Sequence, residues 1–424
     1  MKKTSIAIAV FLFLIVIPQG CCDCGCQLLD EVVASPKSQN PWITDEVLTG
    51  LQNQAVSQGW TFTIGKNSAT DRPISELYGL VEPENWWRDA SFDPCVPTNG
   101  LPSRFDWRDF EGCTPVRNQG ACGSCWAFGT IAPLECNILI KDHKEVDLSE
   151  QWLVSCNTNG WGCNGGWWAH DYFQWKMDKC NGTGAVLEKD FPYTAEDLPC
   201  EGPYDRPYMI DSWHFIGFSQ GVAPTESIKQ AILDYGPESV ACAVTQAFGG
   251  YTGGVFNEND PSAQINHAVA LVGWDDTQGT NGVWFLRNSW GPGWGEEGYM
   301  RIEYEVCKVG YAACYVKYPM KTKLEIKGGP LGTRIGVRNV GNTATTGIRC
   351  NITMSGGIRG FVNASVLDTI ESLQPGAIVY ERLPWFGFGP VAITVTVQPD
   401  NAGKTAKHAE GFLCGLLLFV VRNQ

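Results

Sequence analysis

Two cysteines three positions apart, Cys122 and Cys125 in QGACGSCWAFG, are the residues best placed to do chemistry. Their spacing suits a metal clip, a redox dithiol, or a nucleophile beside a structural bridge. Only thiolate attacks, and neutral pH leaves most free thiols protonated. A helix N-terminus and a neighbouring imidazolium both lower the thiol pKa. A nucleophile here therefore needs a helix start and one histidine. The chain has five: His143, His170, His214, His267 and His408. His143 lies in a charged turn, IKDHKEV, and His408 in the C-terminal region. His170 and His214 are flanked by aromatics and read as packing residues. His267 heads an apolar run, INHAVALVGW, which would hold a base rigidly. Downstream, RNSWGPGWGEEGY supplies Asn288 to orient the ring and Trp290 to shield that hydrogen bond.

The elements that must position these groups are legible in outline. CWAFGTIAPLECNILI predicts a helix starting near Cys125, with Pro133 expected to disturb it. Ser149 caps a second helix in SEQWLVSC, and APTESIKQAILDYG predicts a third that ends at Gly236. HAVALVGW and GVWFLRNSW read as strands. Ahead of this dense region, ITDEVLTGLQNQAVSQGW predicts a helix capped by Thr44, with Val47, Leu48, Leu51 and Val56 near one face. From Lys321 the texture changes. KLEIKGG, RIGVRNVGN, GIRCNITM, AIVYERL and VAITVTVQPD alternate with period two between turns, which indicates an all-β sandwich. GFLCGLLLFVV reads as a buried last strand, since it is too short for a membrane span.

The chain begins MKKTSIAIAVFLFLIVIPQG, two lysines before a twelve-residue apolar run, Ile6 to Ile17. That is the layout of a secretory signal peptide. Eighteen cysteines on an exported chain read as disulfides. This weakens the redox reading of Cys122 and Cys125. Zinc is weakened too, because no second CxxC or His pair stands at zinc-ligand spacing. No cofactor and no metal are expected. Net charge is −14, so nucleic acid and acidic membranes are set aside as partners. The charge is uneven: residues 321–424 carry 11 Lys/Arg against 6 Asp/Glu, a net of +5.

Taken together, QGACGSCWAFG, NHAVALVGW and RNSWGPGWGEEGY resemble the papain-like cysteine peptidases, the cathepsin group. CNGG at 163–166, LPSRFDWR at 101–108 and YTGGVF at 251–256 are similar as well. The resemblance implies an α+β, two-lobed papain-like fold, with a helical left lobe and a β-barrel-like right lobe, followed by the β-sandwich. It implies a thiol endopeptidase acting through an acyl-enzyme. Cys125 would be the nucleophile, His267 the proton carrier and Asn288 the group that holds the imidazole. Gln119 and the Cys125 backbone N–H would donate to the oxyanion, where preorganised donors are worth about 3–4 kcal/mol of barrier.

Cys122 would then be bonded to Cys163, leaving Cys125 free, with Cys156–Cys200 and Cys113–Cys136 as further bridges. Residues 99–319 hold eleven cysteines, and removing Cys125 leaves an even ten. Cys307–Cys314, and Cys350–Cys414 across the sandwich, are further expectations. Substrates would lie along Gly165 and Gly166, with Trp167 walling a pocket for a bulky apolar residue two before the cut and Trp290 nearby. The two-histidine loop of exopeptidase relatives has no counterpart here, hence an endopeptidase.

The implied organisation is a signal peptide (1–22), an inhibitory propeptide (23–98), a papain-like catalytic domain (99–319) and a C-terminal sandwich of Ig-like or adhesion type (320–424). Expected partners are polypeptide substrates and the chain's own propeptide, with cell-surface or substrate contact through the sandwich. Two alternatives stand beside this reading: a transpeptidase using the same residues, and an inactive papain-like binding protein.

Overall fold

A computed structural model describes residues 42–97, 100–318, 322–329, 332–340, 344–383, 385–399 and 405–423. The expected signal segment and residues 23–41 lie outside the described residues. The chain enters through α1 (Asp45–Gln58). The Thr44 hydroxyl accepts a hydrogen bond from the Val47 N–H at 3.3 Å, and Gly59, at φ 69°, closes the helix. Val47, Leu48 and Leu51 pack on the core. Val56, expected on the same face, is 86% exposed, and Ala55 packs in its place. Eight residues on from Leu48, Val56 has turned about 80° off the stripe.

The segment continues through β1 (Phe62–Ile64) and β2 (Phe92–Asp93), and β3 (Arg104–Asp106) follows. The central helix α2 (Cys125–Asp142) is almost wholly buried and runs unbroken through Pro133. Proline removes the N–H that would bond Gly129 O, four residues back. The hydroxyl of Ser239 donates to that carbonyl at 2.7 Å, so the helix continues at no cost in unpaired polar groups. Around α2 and α3 (Glu150–Cys156) an apolar core collects Trp126, Ile131, Leu134, Trp152 and Leu153. The short α4 (Asp171–Gln174) belongs to the same lobe.

The second lobe is mostly strand. Here β4 (Ser212–Ile216), α5 (Thr225–Tyr235), β5 (Glu238–Cys242), α6 (Gln246–Gly249), β6 (Tyr251–Phe256), β7 (His267–Asp275), β8 (Val283–Arg287), β9 (Tyr299–Glu303) and β10 (Tyr311–Lys317) follow in order. The strands lie in the order β1-β6-β9-β8-β7-β5-β10-β4-β2, with β3 on β7. β7 and β8 are buried at every position, so they read as continuous apolar runs in the sequence. Trp274, Trp284, Trp290, Trp294 and Phe248 fill this second core.

The C-terminal region is a sandwich of a three-stranded sheet, β11 (Thr322–Gly329), β12 (Gly332–Asn339) and β15 (Ile378–Leu383), and a five-stranded one. The second holds β13 (Thr345–Gly356), β14 (Val362–Leu373), β16 (Gly387–Gln398), β17 (Thr405–Gly415) and β18 (Leu417–Asn423), ordered β14-β13-β16-β17-β18. Ile335, Val337, Ile348, Ile352, Val395 and Leu413 face one another in its core. β14 escapes sequence reading because most of its side chains are exposed on both faces, which erases the alternation. GFLCGLLLFVV is not one buried strand. It turns at Gly415 into a β17–β18 hairpin, where Leu413 and Leu418 are buried while Phe412 and Phe419 are exposed.

Disulfides join Cys122 to Cys163 and Cys156 to Cys200. Cys113 and Cys136 are not joined. Their thiols face each other unbonded instead. The hydrogen bond from Cys113, with the Arg287 guanidinium 3.3 Å from the sulfur, holds the Cys136 thiol below its ordinary range. Cys307 and Cys314 are also separate, and Cys314 lies 3.4 Å from His170 Nε2. Cys350 and Cys414 share one sheet, so they cannot bridge two. Their partners on β16, Val397 and Phe388, are nine residues apart, about 30 Å along a strand. Cys350 is buried and Cys414 exposed.

Candidate active site

The site forms where the two lobes meet. Cys125 is the first residue of α2, at the positive end of an 18-residue helix dipole. It is completely buried, and burial pushes its thiol from the ordinary 9.0 up to about 12. The backbone amides of Ala268, Gly79, Trp126 and Leu80 lie near the sulfur and oppose that rise. Ala268 follows His267 at the start of β7, so the second lobe delivers the imidazole's neighbour to the thiol.

His267 Nε2 pairs with Asn288 Oδ1 at 2.8 Å, and its Nδ1 has no hydrogen-bond partner among the described residues. Asn288 Oδ1 also accepts the Ser289 N–H at 2.8 Å, which fixes the amide. Because Oδ1 only accepts, Nε2 carries a proton, and Nδ1 of the neutral ring is left as the base. Trp290 lies against the imidazole at 4.9 Å between ring centroids and keeps water from the hydrogen bond. Burial lowers the His267 pKa to about 4, partly offset by Asn288. In the covered site the pair is therefore neutral thiol and neutral imidazole.

Gln119 is buried and held on three sides. Its N–H bonds Ser289 O at 2.8 Å, its Oε1 accepts from Ser289 Oγ at 2.7 Å, and its carbonyl accepts from Tyr193 OH at 2.7 Å. This leaves Nε2 aimed into the cleft, where it donates to Glu76 O at 3.1 Å and to Cys122 O at 3.0 Å. Tyr193 carries no motif, and Ser289 stands inside RNSWGPGWGEEGY, where only its neighbours Asn288 and Trp290 draw a role, so sequence reading missed both.

The segment 42–97 runs through this cleft. β1 adds to β6 in antiparallel pairing. Asn67 Nδ2 donates to Gly249 O and Tyr251 O, and Ser68 Oγ to Trp290 O at 2.7 Å. Trp290 Nε1 then donates to Leu77 O at 2.9 Å. At the thiol itself, Gly79 and Leu80 direct their N–H groups to Asn266 O, and Gly166 N–H bonds Gly79 O at 2.9 Å. Val81 N–H returns to Gly166 O at 2.8 Å, so the segment pairs with Gly166 in parallel. Attack requires a carbonyl carbon at the sulfur. Over the thiol, the segment's backbone is bonded instead to the cleft walls: its Gly79 and Leu80 N–H groups to Asn266 O and its Gly79 carbonyl to Gly166 N–H. The Leu80 side chain is buried in the apolar cluster that also holds Trp126, Trp167, Trp168, Ala268 and Ala312. Beyond it, Trp86 lies on Trp167 and Phe215 at 5.6 and 4.5 Å between centroids.

Two glycines expected to serve close peptide approach divide that task. A Cβ on Gly165 would meet Val81 at 2.6 Å and Gly79 O at 2.9 Å, so this glycine admits the incoming backbone. A Cβ on Gly166 would strike the Trp126 ring at 2.6 Å, so this one is required by packing inside the lobe. Gly79 is the reciprocal device. A Cβ there would lie 1.8 Å from Gly123 O, and only glycine fits over the thiol. The stretch ELYGLVEP gave one signal of this, a lone glycine between apolar residues.

Outside the cleft, His170 is buried against Ser239 and Cys314, as its aromatic surroundings imply. His214 pairs with Ser91 at 2.8 Å.

Comparison with known proteins agrees with this geometry. The profile of the papain family cysteine protease matches residues 101–318. Cathepsin S of Bos taurus is 34% identical over 282 residues, spanning 63% of this chain and 81% of the relative. A cathepsin L-like protein of Caenorhabditis elegans is 35% identical over 252 residues, spanning 57% and 72%. Among solved structures, the digestive procathepsin L2 proteinase from Tenebrio molitor larval midgut superposes with a TM-score of 0.56 at 29% identity, covering 64% of this chain and 89% of its own. A recombinant stem bromelain precursor gives 0.52 at 27% identity, covering 64% and 89%. A profile that takes in half the chain, and relatives covered over most of their length, show that this protein belongs to the papain family of cysteine proteases and is a cysteine-type endopeptidase.

Proposed function

We propose that the chain is an exported thiol endopeptidase, made as a zymogen that its own N-terminal segment holds inactive. The observation that carries this reading is the segment 76–81 lying over Cys125, with Gly79 and Leu80 bonded to Asn266 and Gly166 at the cleft and the Leu80 side chain buried in the apolar cluster that holds Trp167. Residues 1–22 act as the signal peptide and 23–98 as the prosegment. The catalytic domain spans 99–319 and the sandwich 320–424. Cleavage near 96–102 releases the mature enzyme to secretion or the cell surface, where the sandwich contacts a surface or substrate.

Once the cover leaves, water and substrate reach the pair, and the proton of Cys125 passes to His267 Nδ1. The thiolate attacks a peptide carbonyl laid along Gly165 and Gly166. Gln119 Nε2 and the Cys125 N–H take the oxyanion, and His267 then protonates the departing amine. Water, deprotonated by the same imidazole, hydrolyses the acyl-enzyme. Asn288 and Trp290 keep the ring in place throughout, and Trp167 walls the pocket that Leu80 vacates. An apolar side chain two residues before the cut is the expected preference.

The test is direct. Cys125→Ser removes peptide cleavage, and an epoxide-type thiol inhibitor modifies Cys125 in the processed enzyme and no other residue. A Cys125→Ser protein that still digests peptides overturns the reading. Peptides varied two residues before the cut should favour Leu, and equal cleavage of Asp and Leu would count against the pocket assignment.

A further inference from the structure

We propose that the end of the C-terminal sandwich formed by its hairpin tips is a membrane-docking surface for anionic phospholipid. This rests on, and makes specific, the surface contact assigned to the sandwich above. β13 ends at Gly356, which pairs with Val362 and Val391, while β16 begins at Gly387, opposite Gly415. The β13–β14 turn, the start of β16 and the β17–β18 turn therefore lie at one end of the five-stranded sheet. The short connection from Leu383 to Gly387 brings the end of β15 there as well.

Six apolar side chains crowd this tip in open solvent: Ile358 at 61% exposure, Phe361 at 85%, Phe386 at 73%, Phe388 at 49%, Leu416 at 43% and Leu417 at 44%. Phe386 and Phe388 meet edge to face. Behind them stands a basic collar. Arg359 lies within the tip. Lys327 pairs in register with Arg334, and Arg334 with Arg382, close to the same end. All four are exposed. The nearby acids are Glu325, ion-paired to Lys327, and Glu381.

Apolar loop ends ringed by cations match a bilayer, where rings insert to the acyl boundary and cations meet phosphate. Charge decides against a second copy of the chain. Residues 321–424 carry a net of +5, so two such tips repel, while an anionic surface attracts each. The whole-chain charge of −14 concealed this, because the acidic groups lie mostly outside the sandwich.

The test uses the full chain with Cys125→Ala, which prevents self-digestion, and phosphatidylcholine vesicles with and without phosphatidylglycerol. The parent should cosediment with the anionic vesicles. F361S, F386S and L416S together should weaken that binding at least about tenfold, and so should K327Q, R359Q and R382Q together. Unchanged thermal midpoints confirm that both variants fold. Three results overturn the proposal: a parent that pellets with neither vesicle, tip variants that bind like the parent, or a concentration-dependent dimer lost in the tip variants without lipid binding. A parent that ignores lipid but stays on protein substrate overturns the lipid assignment and leaves the broader contact reading standing.

Discussion

The covered active site makes a kinetic prediction that one alkylation experiment can check. Burial under segment 42–97 raises the Cys125 thiol from 9.0 to about 12. At pH 7 that leaves about a thousandfold less thiolate than an ordinary thiol has, a difference of about 4 kcal/mol. Alkylation by iodoacetamide follows the thiolate fraction, and burial of the sulfur can only slow it further. Cys414 is exposed and serves as a standard within the same chain. In the unprocessed precursor at pH 7, Cys125 should react at least about a thousand times more slowly than Cys414, read as site-resolved labelling by mass spectrometry. After processing the order should invert, because an exposed imidazole can take the proton. The sign of the pH effect follows from His267, whose pKa is lowered to about 4 in the covered state. The covered form binds fewer protons on this ring than the open form does. Acidification from neutrality therefore favours opening, and the effect levels off near pH 4. A precursor whose Cys125 labels as fast as Cys414 while segment 42–97 stays bound would refute the reasoning.

Other consequences are open to simple measurements. Gly79→Val places a Cβ 1.8 Å from Gly123 O, so the segment must lift from the thiol, and the precursor's Cys125 labelling should rise more than about tenfold. Asp93 accepts from Tyr315 OH at 2.6 Å, and this hydrogen bond holds its carboxyl below the usual range. Its stabilising contact is present above the unfolded value near pH 4 and is lost as pH falls through the lower, bound value. Asp93→Asn should accordingly raise the pH midpoint of precursor self-processing, and an unchanged midpoint would remove Asp93 from the acid response. Ser239→Ala leaves Gly129 O unpaired inside the molecule, which should cost about 1–3 kcal/mol and lower the thermal midpoint by several degrees.

Much of the site was legible because its residues announce themselves by type. A thiol at a predicted helix start, a histidine heading an apolar run and an Asn-Ser-Trp that follows are local patterns, and the helix caps at Thr44 and Ser149 are local too. The fully buried strands β7 and β8 are readable because both their faces are apolar. What depends on which surfaces meet was hidden. Ser239 on β5 satisfies the carbonyl that Pro133 leaves open in α2, more than a hundred residues away along the chain. Tyr193, which carries no motif, and Ser289, whose motif reveals only its neighbours' roles, hold Gln119. The pairing of cysteines misled in the same way: Cys113 and Cys136 meet as unjoined cysteines beside Arg287, and Cys350 and Cys414 lie far apart along one sheet. By itself, then, the sequence determined the chemistry, since a reactive sulfur, a titratable ring and an amide donor are properties of residue types in order. Only the tertiary structure decided that Gly79 and Leu80 lie over that sulfur with their N–H groups bonded to Asn266 O, and that a single end of the sandwich gathers its exposed rings beside its cations. Both depend on distances between segments remote in sequence, which no local spacing encodes.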